Sequence, residues 1–271
     1  MKIAVVTIVR GRHAHLVAQQ RSLLHGSRQP TVYVVVSMGD PELAPHLMPE
    51  LEGHVVDIPA DPQRLPLAAA RNLGAGRAFD EGADAVIMLD VDCLAGHDLV
   101  HGYAECVATE PSIVWSGPVT YLPPAGPQGY DVAALAELDD PHPARPAPPP
   151  GDLVRGASPD LFWSLSFVAH HSAWEIVGGF CEEYAGYGAE DTDFGHSVIS
   201  RGAELGWAGT PRAYHQHHTT FDPPVQHLDD ILRNGQIFHS RWGRWPMEGW
   251  LRDFERMGLV ERHGDTWCRT R

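Results

Sequence analysis

Short apolar runs alternate with amphipathic stretches in the N-terminal half of the chain. The apolar runs occupy residues 3–9, 31–36, 54–58 and 85–89; amphipathic stretches follow the first run up to Gly26 and cover residues 67–81. Consecutive apolar positions predict a strand buried on both faces, whereas apolar residues three or four apart predict a helix. Such strands alternating with helices favour an α/β fold, with a mostly parallel sheet flanked by helices.

The second half of the chain is less regular. Nine prolines within residues 123–150 predict a loop or lid over the surface rather than a core element, because proline breaks helices and removes strand hydrogen bonds. Beyond this segment we expect strands at 162–169 and 212–218, and helices at 172–177, 190–201 and 226–242. These changes divide the chain into residues 1–122, 123–150, 151–220 and 221–271.

Composition and charge exclude several classes of protein. The chain carries 35 acidic and 20 basic side chains, a net charge of -15, which disfavours binding to nucleic-acid phosphates. The four cysteines form no C-x-x-C pair, so they predict neither a zinc ribbon nor a disulfide framework and favour a cytoplasmic location. No apolar run is long enough for a transmembrane segment, which leaves peripheral membrane association open.

Polar residues at the ends of the predicted strands are the first candidates for chemistry. Asp90 and Asp92 follow the fourth apolar run, and two carboxylates spaced by two residues point the same way from an extended backbone. Hard oxygen ligands suit Mg²⁺, and an added imidazole favours Mn²⁺. A solvated strand end is the alternative. Because ligands bind beyond the carboxyl ends of strands in open α/β sheets, this pair is placed where a site is expected.

Two further motifs follow in the second half. The sequence G-Y-G-A-E-D-T-D-F (186–194) places an aromatic residue and three acids at a predicted helix start, where acids also serve as helix caps. Tyr187 beside Glu190 and Asp191 could stack a sugar and accept a hydroxyl proton. In Y-H-Q-H-H (214–218), strand alternation pairs His215 with His217, whereas a turn after Gln216 pairs His215 with His218; a histidine-rich surface edge is the alternative.

The order of these motifs resembles a known family, the inverting glycosyltransferases of the GT-A fold. The resemblance covers residues 3–218 and is closest to family 2 and its relatives with a galactosyltransferase-type C-terminal half. It rests on T-I-V-R-G-R, A-A-A-R-N-L-G-A, L-D-V-D-C, G-G-F, the G-Y-G-A-E-D-T-D-F block and the late histidines. It implies a Rossmann-like, mostly parallel sheet flanked by helices, with an acceptor-side region towards the C-terminus.

The resemblance also implies roles for individual residues. The nucleotide pocket would be lined by Thr7, Val9, Arg10 and Arg12, with Asp40 near the base or ribose and Arg71 and Asn72 near the ribose or phosphates. Asp90 would meet the ribose or a metal-bound water, Asp92 would bind Mn²⁺, and His215 would be the late metal ligand with His218 as its alternate. Asp191 would be the general base and Glu190 would orient the acceptor or sugar, while Tyr187 stands where relatives often have tryptophan.

The function implied is metal-dependent, inverting transfer of a sugar from a nucleotide diphosphate sugar, with UDP as the favoured nucleotide. A glycan, a lipid-linked intermediate or a small molecule could supply the acceptor hydroxyl. Residues 1–122 would then bind the donor, and residues 151–220 would form the acceptor and catalytic half, followed by a helical extension at 221–271. A nucleotidyltransferase and a noncatalytic nucleotide-sugar-binding module are the alternatives. The first is disfavoured because Lys2 is the only lysine and no glycine-rich phosphate loop follows the first strand.

Overall fold

The computed structural model describes residues 1–270. Its strands are β1 Ile3–Val9, β2 Val32–Met38, β3 His54–Ile58, β4 Ala85–Leu89, β5 Cys93–Ala95, β6 Ile113–Ser116, β7 Val119–Tyr121, β8 Leu153–Arg155, β9 Ser166–His170, β10 Glu204–Ala208, β11 Ala213–His215, β12 Val260–His263 and β13 Thr266–Arg269. Its α-helices are α1 His13–His25, α2 Leu67–Asp80, α3 Leu99–Thr109, α4 His171–Val177, α5 Glu190–Ser200, α6 Leu228–Trp242 and α7 Glu248–Arg256. Short 3₁₀ helices occupy Ala44–His46, Pro49–Leu51, Val132–Leu138, Pro159–Leu161 and Val225–His227.

An eight-stranded sheet forms the centre of the molecule, in the order β3-β2-β1-β4-β9-β6-β10-β8. Six strands run in one direction, whereas β9 is antiparallel to β4 and β6, and β8 is antiparallel to β10. The predicted α/β fold with a mostly parallel sheet is therefore confirmed. The first, third and fourth predicted strands also have the predicted bounds.

The sheet is buried on both faces, which explains the continuous apolar runs. Along β1, Ile3 and Val5 belong to one hydrophobic cluster, while Ala4 and Val6 belong to the cluster on the opposite face. Side chains alternate between the two faces of a strand, so only a strand covered on both sides needs apolar residues at every position. Helices α1 and α3 pack on the first face and α2 on the second.

A small second sheet, β5-β11-β7, lies at the carboxyl end of β4. In it β11 pairs antiparallel with β5 and parallel with β7, so that His215 lies opposite both Cys93 and Tyr121. The strand predicted at 212–218 is wrong in length, because β11 ends at His215 and the Gln216 amide then donates a hydrogen bond to the Asp92 carbonyl (2.7 Å). This small sheet brings a residue from late in the chain beside the D-V-D turn.

Most of the proline-rich segment is exposed, but a few of its side chains, among them Leu135 and Arg145, are buried. Leu135, in the 3₁₀ helix Val132–Leu138, packs with Leu94, Leu122 and Tyr214. Arg145 has a relative exposure of only 7%. Proline prevents regular structure in this segment, but it does not prevent isolated side chains from entering the core.

The chain ends in a small unit made of α6, α7 and the β12-β13 hairpin. Its own hydrophobic cluster includes Ile231, Trp245, Leu251, Phe254 and Trp267. The helix predicted at 226–242 is present as α6, although it begins at Leu228.

Among the residues described, no helix has both the length and the apolar character that crossing a membrane requires.

Candidate active site

The turn that carries Asp90 and Asp92 is held by a buried glutamine. Gln19, on α1, donates hydrogen bonds to the carbonyls of Asp90 (2.7 Å) and Cys93 (3.0 Å), and its side-chain oxygen accepts one from Thr7 (2.8 Å). Gln19 has no exposed surface. Buried hydrogen bonds to otherwise free carbonyls fix the backbone of such a turn, so both aspartates project from a rigid position.

Asp92, His215 and His218 form a cluster that could hold a metal ion. One ligand atom from each lies within 4.8 Å of the others, and both imidazole Nε2 atoms are 3.6 Å from the Asp92 Oδ2. His215 is held by β11 and by the ring of Tyr121, which stacks on it with centroids 4.4 Å apart. Beyond His215 the chain leaves the strand, and His218, rather than His217, reaches the cluster. Of the two pairings left open by the sequence, the structure has His215 with His218.

Electrostatics and donor chemistry both fit a divalent cation in this cluster. Burial would raise the pKa of Asp92, but hydrogen bonds from His215 and His218 together with the Arg12 charge lower it well below its usual range. Arg12 also contacts the Asp92 carboxylate directly. One carboxylate oxygen and two imidazole nitrogens form a mixed donor set that Mn²⁺ accepts.

A buried arginine links the D-V-D turn to the start of α5. Arg71, on α2, is 4% exposed and binds both oxygens of Asp90 (3.0 and 3.3 Å) and Oε1 of Glu190 (3.4 Å). Glu190 is itself 7% exposed, and its Oε2 has no hydrogen-bond partner among the described residues. The arginine therefore holds two carboxylates from distant parts of the chain in one place.

The acids at the start of α5 have perturbed pKa values. Burial, reinforced by the charge of Asp191, raises the pKa of Glu190 to about 7. Burial also raises the pKa of Asp191, whereas a hydrogen bond from the Thr192 amide (2.7 Å) and the charge of Arg71 oppose this rise. A carboxylate with a raised pKa holds a proton more tightly, and this makes it a better base than an exposed aspartate.

The third acid of the motif has a structural role. Asp193 is fully buried and accepts hydrogen bonds from Arg241 (2.6 Å), Trp242 (2.7 Å) and Tyr184 (3.1 Å). Two of these donors lie at the end of α6. Asp193 thus fixes α5 to the C-terminal unit.

Helix α6 also holds the G-Y-G loop. Asn234 donates to the carbonyls of Tyr187 (3.1 Å) and Gly188 (3.0 Å), and Asp230 accepts from the Tyr187 amide (3.1 Å). Gly186 has a φ of +75°, and a Cβ there would collide with the Asp230 carboxylate. This glycine is needed for the close approach of α6. The Tyr187 ring is 38% exposed and stacks on His227 with centroids 4.4 Å apart.

The residues predicted to bind the donor differ in their burial and in the hydrogen bonds that their side chains already make. Thr7 and Val9, both on β1, have no exposed surface, so they are part of the interior beneath the site. Arg10 donates to the carbonyls of Met38 (2.6 Å) and Gly39 (2.8 Å), and Asp40 accepts from the Gly11 amide (2.6 Å) and from His13 (2.9 Å). Contact of these side chains with a nucleotide stays a prediction.

Asn72 has its hydrogen bonds with the G-G-F loop. Its amide oxygen accepts from the Phe180 amide (2.8 Å), and its amide nitrogen donates to the Phe180 carbonyl (2.9 Å) and to Glu182 (2.8 Å). In this structure it fixes that loop to α2. The ribose or phosphate contact expected for Asn72 stays a prediction.

A groove of about 470 Å³ lies beside the start of α5. Thr192, the neighbour of Asp191, forms part of its wall, and Trp163, Trp245 and Trp250 supply aromatic surface. Aromatic faces suit the apolar faces of sugar rings. The groove thus offers aromatic surface to a sugar ring next to Thr192, one residue along the chain from Asp191.

Several residues that shape the site were missed by sequence reasoning. Gln216, which stands between His215 and His217 in the sequence, is buried and donates a hydrogen bond to the His15 carbonyl (3.1 Å). Gln19 is a buried polar residue on the apolar face of α1. Polar residues at apolar positions were the available signal. Tyr121 and the α6 residues Asp230 and Asn234 carried no local signal, because only tertiary contacts give them a role.

Comparisons with known proteins identify the fold. No protein-family model matches the chain, and no curated protein sequence matches it. Its structure is similar to that of GalNAc-T7, solved with UDP, GalNAc and Mn²⁺, at a TM-score of 0.58 and 14% identity over 89% of this chain and 50% of that one. It is also similar to S. aureus TarS 1-349, solved in complex with UDP, at a TM-score of 0.61 and 13% identity over 88% of this chain and 66% of that one. The chain thus spans half of the first protein and 66% of the second. These likenesses show a GT-A-like fold.

Proposed function

We propose that the chain is a metal-dependent, inverting glycosyltransferase that moves a sugar from a nucleotide diphosphate sugar to an acceptor hydroxyl. One observation carries the proposal: Arg71 binds both Asp90, which lies beside the Asp92–His215–His218 cluster, and the buried Glu190, which is next to the partly buried Asp191. The UDP and Mn²⁺ found with GalNAc-T7, and the UDP found with TarS, support a UDP-linked donor.

Three residues would hold the cation. Asp92, His215 and His218 supply an oxygen and two nitrogens at a compatible spacing. A bound Mn²⁺ or Mg²⁺ would supply Lewis-acid stabilisation of the diphosphate leaving group. Arg12 forms an ion pair with Asp92 and so offsets part of the negative charge of the site. This would allow an acidic protein to bind an anionic donor here.

Asp191 would accept the proton of the acceptor hydroxyl. Its Oδ1 accepts the Thr192 amide, which orients the carboxylate, and burial raises its pKa. Glu190 is fixed by Arg71 beside it and would orient the acceptor or the sugar. The deprotonated hydroxyl oxygen would bond to the anomeric carbon opposite the nucleotide diphosphate, which leaves with the electrons of the broken C–O bond, and this displacement inverts the configuration.

In this proposal each segment of the chain has its own role. Residues 1–122 bind the donor, residues 151–220 contain the base and one wall of the acceptor groove, and the extension at 221–271 holds the G-Y-G loop and supplies Trp245 and Trp250 to the groove. The proline-rich segment at 123–150 would shape the acceptor side. A glycan, a lipid-linked intermediate or a small molecule would be the acceptor, and the free cysteines fit the cytoplasmic location that we propose.

Isothermal titration of UDP and GDP, with Mn²⁺ and with EDTA, tests the donor site. We expect one diphosphate to bind only with the metal, and Asp92→Ala to abolish that binding. His217→Ala is the matched control, because His217 lies in the same motif but outside the metal cluster. Binding of neither nucleotide under either condition would refute the proposal.

Turnover separates an enzyme from a noncatalytic binder. With Mn²⁺ present, we expect slow hydrolysis of the matching UDP-sugar without acceptor and its loss in Asp191→Asn. A protein that binds the UDP-sugar with metal and leaves it intact would instead be a binding module.

A further inference from the structure

Arg145 is a buried cation without a partner. It belongs to the proline-rich segment, is 7% exposed, and none of its three guanidinium nitrogens has a hydrogen-bond partner among the described residues. Nor does Arg145 form an ion pair with an acidic side chain among these residues. A guanidinium presents five N–H donors, and burying it unpaired is strongly unfavourable. An unpaired, buried arginine of this kind is therefore a candidate for binding an anionic ligand.

Two tryptophans flank the guanidinium without satisfying it. The Arg145 carbon Cζ lies 4.9 Å from the ring centre of Trp207 and 5.2 Å from that of Trp163. Aromatic faces attract a cation, but they accept no conventional hydrogen bond from its edge. The two rings therefore contact the guanidinium but leave its N–H groups without acceptors.

A row of aromatic rings connects Arg145 to the metal cluster. Trp163 meets His142 edge to face (5.2 Å between centroids), His142 lies 5.2 Å from Tyr121, and Tyr121 stacks on His215. Trp163 also lines the groove at the start of α5. The half-buried Trp163 thus contacts both the unpaired guanidinium and the groove.

We propose that Arg145 binds an oxyanion of a substrate, a phosphate or a carboxylate, that reaches it from the groove when the Trp163 ring moves aside. The proposal rests on the proposed function, since it requires that substrates bind at this site. The planar fork of a guanidinium matches two oxygens of a phosphate or carboxylate. The group comes either from the diphosphate of the donor or from an anionic acceptor.

A purely structural role for Arg145 predicts a different stability. If Arg145 only joins Trp163 and Trp207, Arg145→Met lowers the unfolding temperature of the ligand-free protein and leaves ligand binding unchanged. If it is kept for an anion, removing an unpaired buried charge leaves that temperature unchanged or raises it, while anion binding weakens.

The test compares Arg145→Met with Arg262→Met. Arg262 also lies over a tryptophan, 5.8 Å from the ring centre of Trp267, but it is in the C-terminal hairpin. Titrations with UDP and Mn²⁺ probe the diphosphate, and titrations with inorganic phosphate in EDTA probe the anion site alone. We expect Arg145→Met to weaken at least one of these about tenfold to a hundredfold, as for the loss of charge-assisted hydrogen bonds, and Arg262→Met to weaken neither.

The outcomes distinguish the source of the anion. Weaker UDP binding assigns Arg145 to the donor diphosphate, whereas unchanged UDP binding with lost phosphate binding assigns it to an anion on the acceptor. Should Arg145→Met fail to fold, Arg145→Lys keeps the charge, loses the fork and is expected to weaken the same ligand. Wild-type affinity for both probes in a folded variant overturns the proposal. Failure of the wild-type protein to bind UDP refutes the proposed donor site, while the phosphate titration still tests Arg145.

Discussion

Replacing Arg71 with methionine tests the link between the D-V-D turn and α5. The change keeps an unbranched side chain of helix-forming type but removes three contacts, two to Asp90 and one to Glu190. Both carboxylates would lose their only cationic partner in this contact network, at a position where Arg71 is 4% exposed. Breaking a buried ion pair by removing one partner costs about 3–5 kcal/mol. For a domain of this size that lowers the unfolding temperature by about 6–20 °C.

The loss of stability in Arg71→Met is expected to grow with pH. Glu190 has a pKa of about 7 in the folded protein, above its ordinary value, so its contribution to stability is full below about pH 4.5 and is lost as the pH rises through 7. Arg71 lowers this pKa, and its removal raises it further. At pH 5.5 the glutamate is protonated in both proteins, whereas at pH 8.5 the variant must bury a charge that the wild type pairs.

Urea unfolding of both proteins at pH 5.5 and pH 8.5 measures this effect. Arg77→Met is the control: Arg77 lies on the same helix, is 43% exposed, and pairs with Glu81 at the surface (2.5 Å). Exposed pairs of this kind contribute about 0.5 kcal/mol. If Arg71→Met were no more destabilising than Arg77→Met, or equally destabilising at both pH values, the argument for a buried charge network would be wrong.

Three further predictions concern the base, the metal and the sheet. Asp191→Asn is expected to lower sugar transfer by about 10²–10⁴-fold while UDP affinity stays unchanged, because it removes only the proton acceptor. His218→Ala is expected to weaken Mn²⁺ binding about tenfold or more, as measured by titration calorimetry, and His217→Ala to leave it unchanged. Gly206→Ala places a methyl group against the buried ring of Trp115 and is expected to cost about 1–3 kcal/mol in urea unfolding.

Each of these predictions has a clear contrary result. Weakened UDP binding in Asp191→Asn would mean that this carboxylate shapes the donor site rather than the proton transfer. Equal Mn²⁺ affinities of the two histidine variants would remove His218 from the metal cluster. Gly249→Ala, in open space on α7, is the control for the glycine change and is expected to be neutral or stabilising. If it were as destabilising as Gly206→Ala, the close contact with Trp115 would not be the cause.

Local pattern was sufficient to predict the N-terminal half of the sheet. Strands β1, β3 and β4 are buried or alternate in a regular way, and helix α2 ends within one residue of the position that Gly82 indicated. Hydrophobic burial acts on consecutive residues, so it leaves a periodic trace in the sequence. The D-V-D turn and the acids at the start of α5 were visible for the same reason, because each sits at the end of such an element.

The composition of the site was decided by tertiary structure. Pairing of β11 with both β5 and β7 selected His218 over His217, since it ended the strand at His215. Arg71 joins Asp90 to Glu190 across 100 positions of the chain between the two acids, and α6 holds the G-Y-G loop through Asn234. A sequence pattern indicates which residues are buried and with what period, but it does not indicate which residues distant in sequence they contact. The ion pairs, the hydrogen bonds that hold the loops and the lack of a partner for Arg145 all depend on such long-range contacts. Only the folded chain determines these contacts.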